Sequence, residues 1–423
     1  MRLALVTSGT RGDAQPLILL ARELLERGHE PVLGLPPNLV ALGEQAGLTT
    51  HALGPDTQQL VESEQGRAWL AAGDSKSFMK ELSELSSRAS EATTAGLLAA
   101  CERAELVVAG VLMQDLALPL AEARGIPMVA VHSFPFDANR RYPNLFMTNR
   151  RLPGPLNLVS GKLFERVWWQ GFSQEINAFR ASVGLEATSV PTARQMARDG
   201  RVAIQAYDPL LTPGLAEAYG ERRPLVGFLA PDGGFRDKLG EAGLPAPLAD
   251  WLGDGEPPVF FGFGSMPVHD PDAAVTLITE VARRLEVRAV VNAGWGGLAA
   301  LDPDGTDVTV VGQVDHDALL PRCRAAVHHG GAGTTYASLA AGVPTVVCSV
   351  FADQPFWGAR LEELGLGATL RFADLDADRL EGALRRALDP AVAGRAAAVG
   401  GELRARPSAT SRAVDIIEAA LAG

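Results

Sequence analysis

The run His328-His329-Gly330-Gly331-Ala332-Gly333-Thr334-Thr335 carries the residue types of an anion site. Its three glycines let the backbone approach a ligand closely. The helical pattern that follows, Tyr336 to Ala341, offers unpaired amides and a positive dipole end at its start. Two threonine hydroxyls and an imidazole add donors for phosphate oxygens. Taken alone, such a loop is more often a tight strand-to-helix turn around a buried histidine. A second group at a set distance turns the reading toward a ligand. Phe351-Ala352-Asp353-Gln354-Pro355 follows another apolar strand directly. Asp353 and Gln354, side by side at a strand end, suit vicinal hydroxyls; Asp353 also suits a helix N-cap with Pro355 just inside. Phe261-Gly262-Phe263-Gly264-Ser265 is a further Gly-rich turn. Gly294-Trp295-Gly296-Gly297 ends one more strand, its Trp read as packing.

Near the N-terminus, Gly9-Thr10-Arg11-Gly12-Asp13 follows the first apolar strand. Its glycines do not make GxGxxG, and the second strand runs into Leu35-Pro36-Pro37 with no acidic residue. A dinucleotide dehydrogenase would want both features. No Walker A pattern is present. Asp13 reads as a general base or as a cap of the following helix. His132, after a strand at Met128–Val131, reads as a lining of an acceptor pocket or as a satisfied core histidine. Phe134, Phe136, Tyr142, Phe146, Trp168 and Trp169 flank the same stretch, as an apolar acceptor pocket or as core. Arg140, Arg141, Arg150, Arg151 and Lys162 form either a solvated basic face or a contact with an anionic membrane. The histidines show no HExxH or similar metal spacing. Neither a metal nor a cofactor is expected.

The elements that must hold these groups follow an α/β rhythm. Leu3–Val6 and Val32–Leu35 read as strands around a helix carrying Leu17, Leu20, Ala21, Leu24 and Leu25 on one stripe, with Pro16 in its first turn. Leu106–Val111 and Met128–Val131 flank a helix around Leu116–Ala123. The second half repeats the rhythm with strands at Val259–Gly262, Ala289–Asn292, Val308–Val311, Ala325–His328 and Thr345–Ser349. Such alternation predicts parallel sheets covered on both faces, with ligands at the strands' carboxyl ends. Between them, 58–100 reads as a mostly helical insertion and Pro209–Pro224 as a linker.

Composition narrows the function classes. A chain of 423 residues with 47% hydrophobic content suits two globular domains. A net charge of −12 would repel a nucleic-acid backbone. No apolar run reaches the length of a membrane span. Cys101, Cys323 and Cys348 lie far apart, and the N-terminus enters a strand pattern at once, so a cytoplasmic protein is expected.

The stretch from Gly312 to Gly367, with "HHGGAGTT", "AGVP" and "FADQPFWGARLEELGLG", resembles the donor-binding signature of the GT-B family 1 glycosyltransferases. It is most similar to their bacterial natural-product and sterol glucosyltransferase branch. "GTRGDAQP", "RGHEPVL" and "FGFGSM" extend the resemblance over nearly the whole chain. It implies two doubly wound Rossmann-like domains facing a cleft. The acceptor domain would span 1–208, the linker 209–224 and the nucleotide-sugar domain 225–405. Helix 406–423 would return to the first domain. It further implies that His329, Gly331, Gly333, Thr334 and Ser265 contact the donor's phosphates, and that Asp353 and Gln354 hold the sugar hydroxyls. Backbone near Val314 would read the base. Gln313 stands where many relatives stack a tryptophan, and Ala337 where plant members place a ribose-binding glutamate, so UDP and dTDP both stay open. Asp13 falls at the family's general-base position. His132, Phe134, Phe136 and Trp169 are the acceptor-pocket candidates.

The expectation is thus an inverting, metal-independent transfer of a sugar from UDP- or dTDP-sugar to a hydroxyl of a small apolar acceptor. That acceptor would be a macrolide- or polyketide-like natural product, an aglycone or a sterol-like lipid, in a monomer or dimer. Two alternatives are a nucleotide-sugar epimerase on the same fold and a non-catalytic nucleotide-sugar-binding partner protein.

Overall fold

The structure is a computed structural model, and it describes residues 1–62, 88–148, 150–231, 233–263, 271–292, 307–312 and 314–422. Among them, 1–60, 88–230 and 407–422 form one compact unit and 233–406 the core of a second.

The first unit holds a parallel sheet of β1 (Arg2–Val6), β2 (Glu30–Leu35), β3 (Thr49–Ala52), β4 (Leu106–Gly110), β5 (Met128–His132) and β6 (Ala203–Gln205), in the order β3-β2-β1-β4-β5-β6. β1, β4 and β5 are almost wholly buried, as near-continuous Val, Leu and Ala runs under helices on both faces require. Helices α1 (Arg11–Glu26), α2 (Ser90–Ala100), α3 (Gln114–Arg124) and α4 (Gly154–Ser182) belong to this unit. The α1 stripe buries Leu17, Leu20, Ala21 and Leu24 as its spacing predicts, while Leu25, read on the same stripe, is exposed at its edge. The helix starts at Arg11, five residues before Pro16, which therefore sits in its second turn rather than its first. Part of the aromatic and basic stretch that holds Lys162, Trp168 and Trp169 forms one 29-residue helix, α4.

The tail helix Ala409–Ala422 packs on α1, burying Ala413, Val414 and Ile417. Arg27 of α1 reaches Asp415 at 2.6 Å, Glu418 at 2.9 Å and the Ser411 hydroxyl at 2.6 Å. The expected linker is not a separate segment. Leu225 bridges in parallel with Gln205, and Arg412 donates to the Val226 carbonyl at 3.1 Å, so the chain stays with the first unit as far as residue 230.

The second unit repeats the topology. Strands β7 (Val259–Gly262), β8 (Ala289–Asn292), β9 (Val308–Val311), β10 (Ala325–His328), β11 (Thr345–Ser349) and β12 (Gly367–Arg371) lie in the order β12-β11-β10-β7-β8-β9, all parallel. Here α5 (Pro271–Leu285), α6 (Ala332–Ala340), α7 (Gln354–Glu363) and α8 (Ala377–Ala387) flank the sheet. Counted within its unit, each sheet has the order 3-2-1-4-5-6 of a doubly wound fold. Its switch point lies between the first and fourth strands, β1 and β4 in one unit and β7 and β10 in the other. The three strands missing from the sequence reading, β3, β6 and β12, are edge strands with partly polar or very short sequences. An edge position needs no continuous apolar run, which removes the signal.

Candidate functional site

In the first unit, Asp13 stands on α1 at the β1 side of the switch point. It is not the N-cap. Thr10 takes that place, and Asp13 is the third helical residue of a capping box. The Thr10 amide donates to Oδ2 of Asp13 at 2.8 Å and the Thr10 hydroxyl lies 3.4 Å from the same oxygen. Gly9 has φ +107°, and a Cβ there would fall 2.2 Å from that oxygen. Only a glycine lets the loop wrap the carboxylate so closely. Burial pushes the Asp13 carboxyl up to about 6, against the Thr10 hydrogen bonds, which pull it down. A half-buried carboxyl near 6 is suited to take a proton at neutral pH.

His132 corrects the expectation that it lines the acceptor pocket. It is 1% exposed at the end of β5. Its Nε2 lies 2.9 Å from Gln114 Oε1 and its Nδ1 3.4 Å from Asp137. Burial works to raise the Asp137 carboxyl, but His132 and Arg223, whose guanidinium is 2.8 Å away, outweigh it and hold it below the ordinary carboxylate range. His132 therefore organises a buried ion network. Phe136 is largely buried, packed edge-on against Phe164 and Trp168 at 5.5 Å each, and with them it lines a small cleft. Trp168 donates its indole hydrogen to the buried Asp115 at 2.6 Å. Phe134 and Trp169 pack against this cluster while keeping part of their surface open. Trp169 also borders a small, mostly apolar cleft with Gln114, Phe164 and Pro191.

In the second unit, His328 ends β10 and is fully buried, its Nδ1 accepting from the Gly330 amide at 3.0 Å. That bond turns the chain, and the next residue, His329, is half-buried with an Nδ1 that is enclosed and has no partner in the protein. Burial pushes the His329 imidazole down to about 4, with a hydrogen bond to the Gly262 backbone acting the other way. It is neutral at pH 7. Gly331 is the N-cap of α6 and contributes no capping side chain. The amides of Ala332, Gly333 and Thr334 thus form the first helical turn, where no intrahelical acceptor exists. Open amides at a helix start are an anion-binding arrangement.

The β11 loop adjoins it. Gly330 has φ +91°, and a Cβ there would meet Val347 at 2.6 Å and Gln354 at 3.3 Å, so its glycine brings the two loops together. Ala352 holds φ +56°, a strained setting for alanine at the strand end. Asp353 occupies the N-cap position of α7 with Pro355 in its first turn, yet makes no capping bond. Its Oδ2 accepts instead from the indole of the fully buried Trp357 at 2.8 Å. Gln354 is 5% exposed, and its Oε1 accepts from the amides of Val350 at 2.8 Å and Phe351 at 3.3 Å. The sequence reading missed the supports: Thr10 under Asp13, and Trp357 under Asp353. Spacings of three and four residues on one helix were the available signals.

Val314 packs partly buried against the core with Phe260 and Leu319. Asp315 beside it caps the next helical turn, accepting from the Asp317 amide at 2.9 Å. Ser265, Gln313 and the Gly294–Gly297 turn lie outside the described residues. Among the described residues, no group of three or more His, Cys, Asp or Glu could hold a metal ion, and no helix is long and apolar enough to cross a membrane.

Residues 3–143 match the glycosyltransferase family 28 N-terminal domain, and residues 275–419 the erythromycin biosynthesis protein CIII-like C-terminal domain. An uncharacterized glycosyltransferase of Mycobacterium leprae is 36% identical over 99% of this chain and 96% of its own. A sterol 3-beta-glucosyltransferase of Arabidopsis thaliana is 29% identical over 93% of this chain and 61% of its own. Among solved structures, the glycotransferase of kitacinnamycin superposes with a TM-score of 0.70 at 23% identity, covering 99% of both chains. VinC in complex with dTDP superposes at 0.66 and 21% identity, covering 100% of both. The chain belongs to the family 1 glycosyltransferases with a two-domain GT-B fold, and it is a glycosyltransferase.

Proposed function

We propose that this glycosyltransferase moves a sugar, with inversion, from a UDP- or dTDP-sugar to a hydroxyl of a small, largely apolar acceptor, without a metal ion. The observation that carries the reading is the turn at His329–Thr334, where a glycine N-cap leaves the first amides of α6 without a capping side chain and His329 directly precedes it. Those groups, with Gly331, Gly333 and Thr334, take the donor's diphosphate. Asp353 and Gln354, held by Trp357 and by the β11 loop, take the sugar hydroxyls. Asp13 takes the acceptor's hydroxyl proton. The acceptor oxygen attacks the anomeric carbon from the face opposite the diphosphate. The carbon–oxygen bond breaks with its electron pair going to the phosphate oxygen, where the amides and His329 stabilise the charge. The dTDP in VinC supports a thymidine donor, and the sterol glucosyltransferase relative supports an apolar acceptor. Phe134 and Trp169 are the aromatic faces that would meet it.

The test is incubation with UDP- and dTDP-sugars and a panel of hydroxylated apolar compounds, with the anomeric configuration of the product read by NMR. Inverted glycoside together with free nucleoside diphosphate supports the reading. A retained configuration overturns the single displacement, and an isomerised donor without acceptor identifies an epimerase.

A further inference from the structure

Helix α4 is apolar on two faces. Phe164, Trp168 and Phe172 face the core of their unit. On the outside, Leu156 is 50%, Val159 58%, Leu163 47% and Val167 42% exposed. Their spacings of three, four and four residues keep all four on one stripe of the helix. Along it the helix rises roughly 16 Å at about 1.5 Å per residue. Met147, in the segment before the helix, is 42% exposed as well. Core packing explains the inner face and leaves the outer one without a purpose.

The charge around this stripe runs against the rest of the chain. Residues 138–173 carry six basic side chains, Arg140, Arg141, Arg150, Arg151, Lys162 and Arg166, against a single acidic one, Glu165, in a protein of net charge −12. All six basic residues are exposed; Glu165 is buried, and Lys162 is ion-paired with it at 2.8 Å, so the excess positive charge of the stretch lies on its arginines. At 100° per residue, Lys162 and Arg166 fall along one edge of the apolar stripe. Arg150 and Arg151 directly precede the helix.

We propose that the outer face of α4 docks on an anionic lipid surface, lying in the interfacial plane with Leu156, Val159, Leu163 and Val167 among the acyl chains and the arginines at the headgroups. An apolar stripe with a basic border is the pattern of an interfacial helix. A second copy of the chain suits the face poorly. A two-fold contact would set the same stripe, with its basic border, against itself, so like charges would meet. The inference is independent of the donor and acceptor assignments above.

The experiment is flotation of the whole chain with vesicles, either phosphatidylcholine alone or phosphatidylcholine and phosphatidylglycerol in equal parts. It is run at low and high salt, with light scattering to measure mass. Two variants accompany it: Leu156→Gln with Val159→Gln, Leu163→Gln and Val167→Gln, and Arg150→Glu with Arg151→Glu and Arg166→Glu. Binding to the anionic vesicles should be roughly tenfold or more stronger than to the neutral ones and should weaken with salt. Each variant should lose it while keeping wild-type circular dichroism and melting temperature. If the apolar variant fails to fold, the charge variant, whose sites are all exposed, decides alone. Equal binding by the charge variant, absence of binding to anionic vesicles at low salt, or a dimer that the apolar variant abolishes would each overturn the proposal.

Discussion

The amide of Thr10 and the carboxylate of Asp13 close a capping box at 2.8 Å, with no side chain at Gly9 to come between them. The bond anchors Oδ2 and fixes where the carboxyl points. Cap and base are therefore one arrangement: the feature that starts α1 also aims the group proposed to take the proton.

Asp13→Asn separates the two roles. An asparagine carbonyl still accepts from Thr10, so melting temperature and nucleotide binding should stay near wild type. It cannot take a proton, and kcat should fall by roughly 10²–10⁴. An Asn variant that transfers at the wild-type rate removes Asp13 from catalysis.

The same carboxyl sets two pH dependences. With its value near 6 instead of 3.8, kcat/KM should rise with pH through about 6 and then level. Stability runs the other way, because the folded state holds this proton more tightly than the unfolded chain. The contribution is full below about 3.8 and is lost as pH rises to about 6. Thermal melts of wild type and Asp13→Asn across that window should diverge in this sense, and parallel curves would place the titration elsewhere.

Gly9→Ala probes the geometry without touching the carboxyl. The new methyl would displace Asp13 Oδ2 and hold φ +107° at a strain of about 1–3 kcal/mol. Activity should drop more steeply than stability. A variant with lowered melting temperature but full kcat would show that the placement of Asp13 is not critical.

His329→Ala should weaken nucleotide-sugar binding and slow transfer by roughly 10²–10³, with the fold kept. Because burial holds the free imidazole near 4, a phosphate group brought close to the ring should draw a proton onto it. Donor affinity should then grow as pH falls below 7. Calorimetry in buffers of different ionisation enthalpy should register proton uptake that the Ala variant lacks. With amides and imidazole at the diphosphate, EDTA should leave turnover intact; dependence on added Mg²⁺ or Mn²⁺ would displace this assignment.

Asp353→Asn keeps an acceptor for the Trp357 indole but loses the charge, so kcat with the sugar donor should fall while affinity for free UDP or dTDP holds. Gln354→Ala should also destabilise, by about 1–3 kcal/mol, since it strips the acceptor from two loop amides. Denaturant melts together with UDP titrations check the pair. Equal losses for sugar donor and free nucleotide would assign both residues to loop structure.

Periodicity and punctuation made much of this protein legible from its residues alone. Among the described residues, nine of the twelve strands are apolar runs bounded by turns, and those buried on both faces have to be apolar throughout. The loops after β1, β10 and β11 were legible too: glycines beside Asp13 and His329 mark backbone that must approach something closely, and the Asp353-Gln354 pair marks the third. Burial was not legible. His132 has the residue type of a pocket, and only packing against Gln114 and Asp137 makes it core. Protonation was also decided in three dimensions: Asp13 near 6 and His329 near 4 follow from desolvation, a sum over neighbours distant in sequence. The outward stripe of α4 depends on the same distinction. Sequence spacing aligns Leu156, Val159, Leu163 and Val167 on one side of a helix, but which side of that helix faces solvent is settled by what the other side packs against.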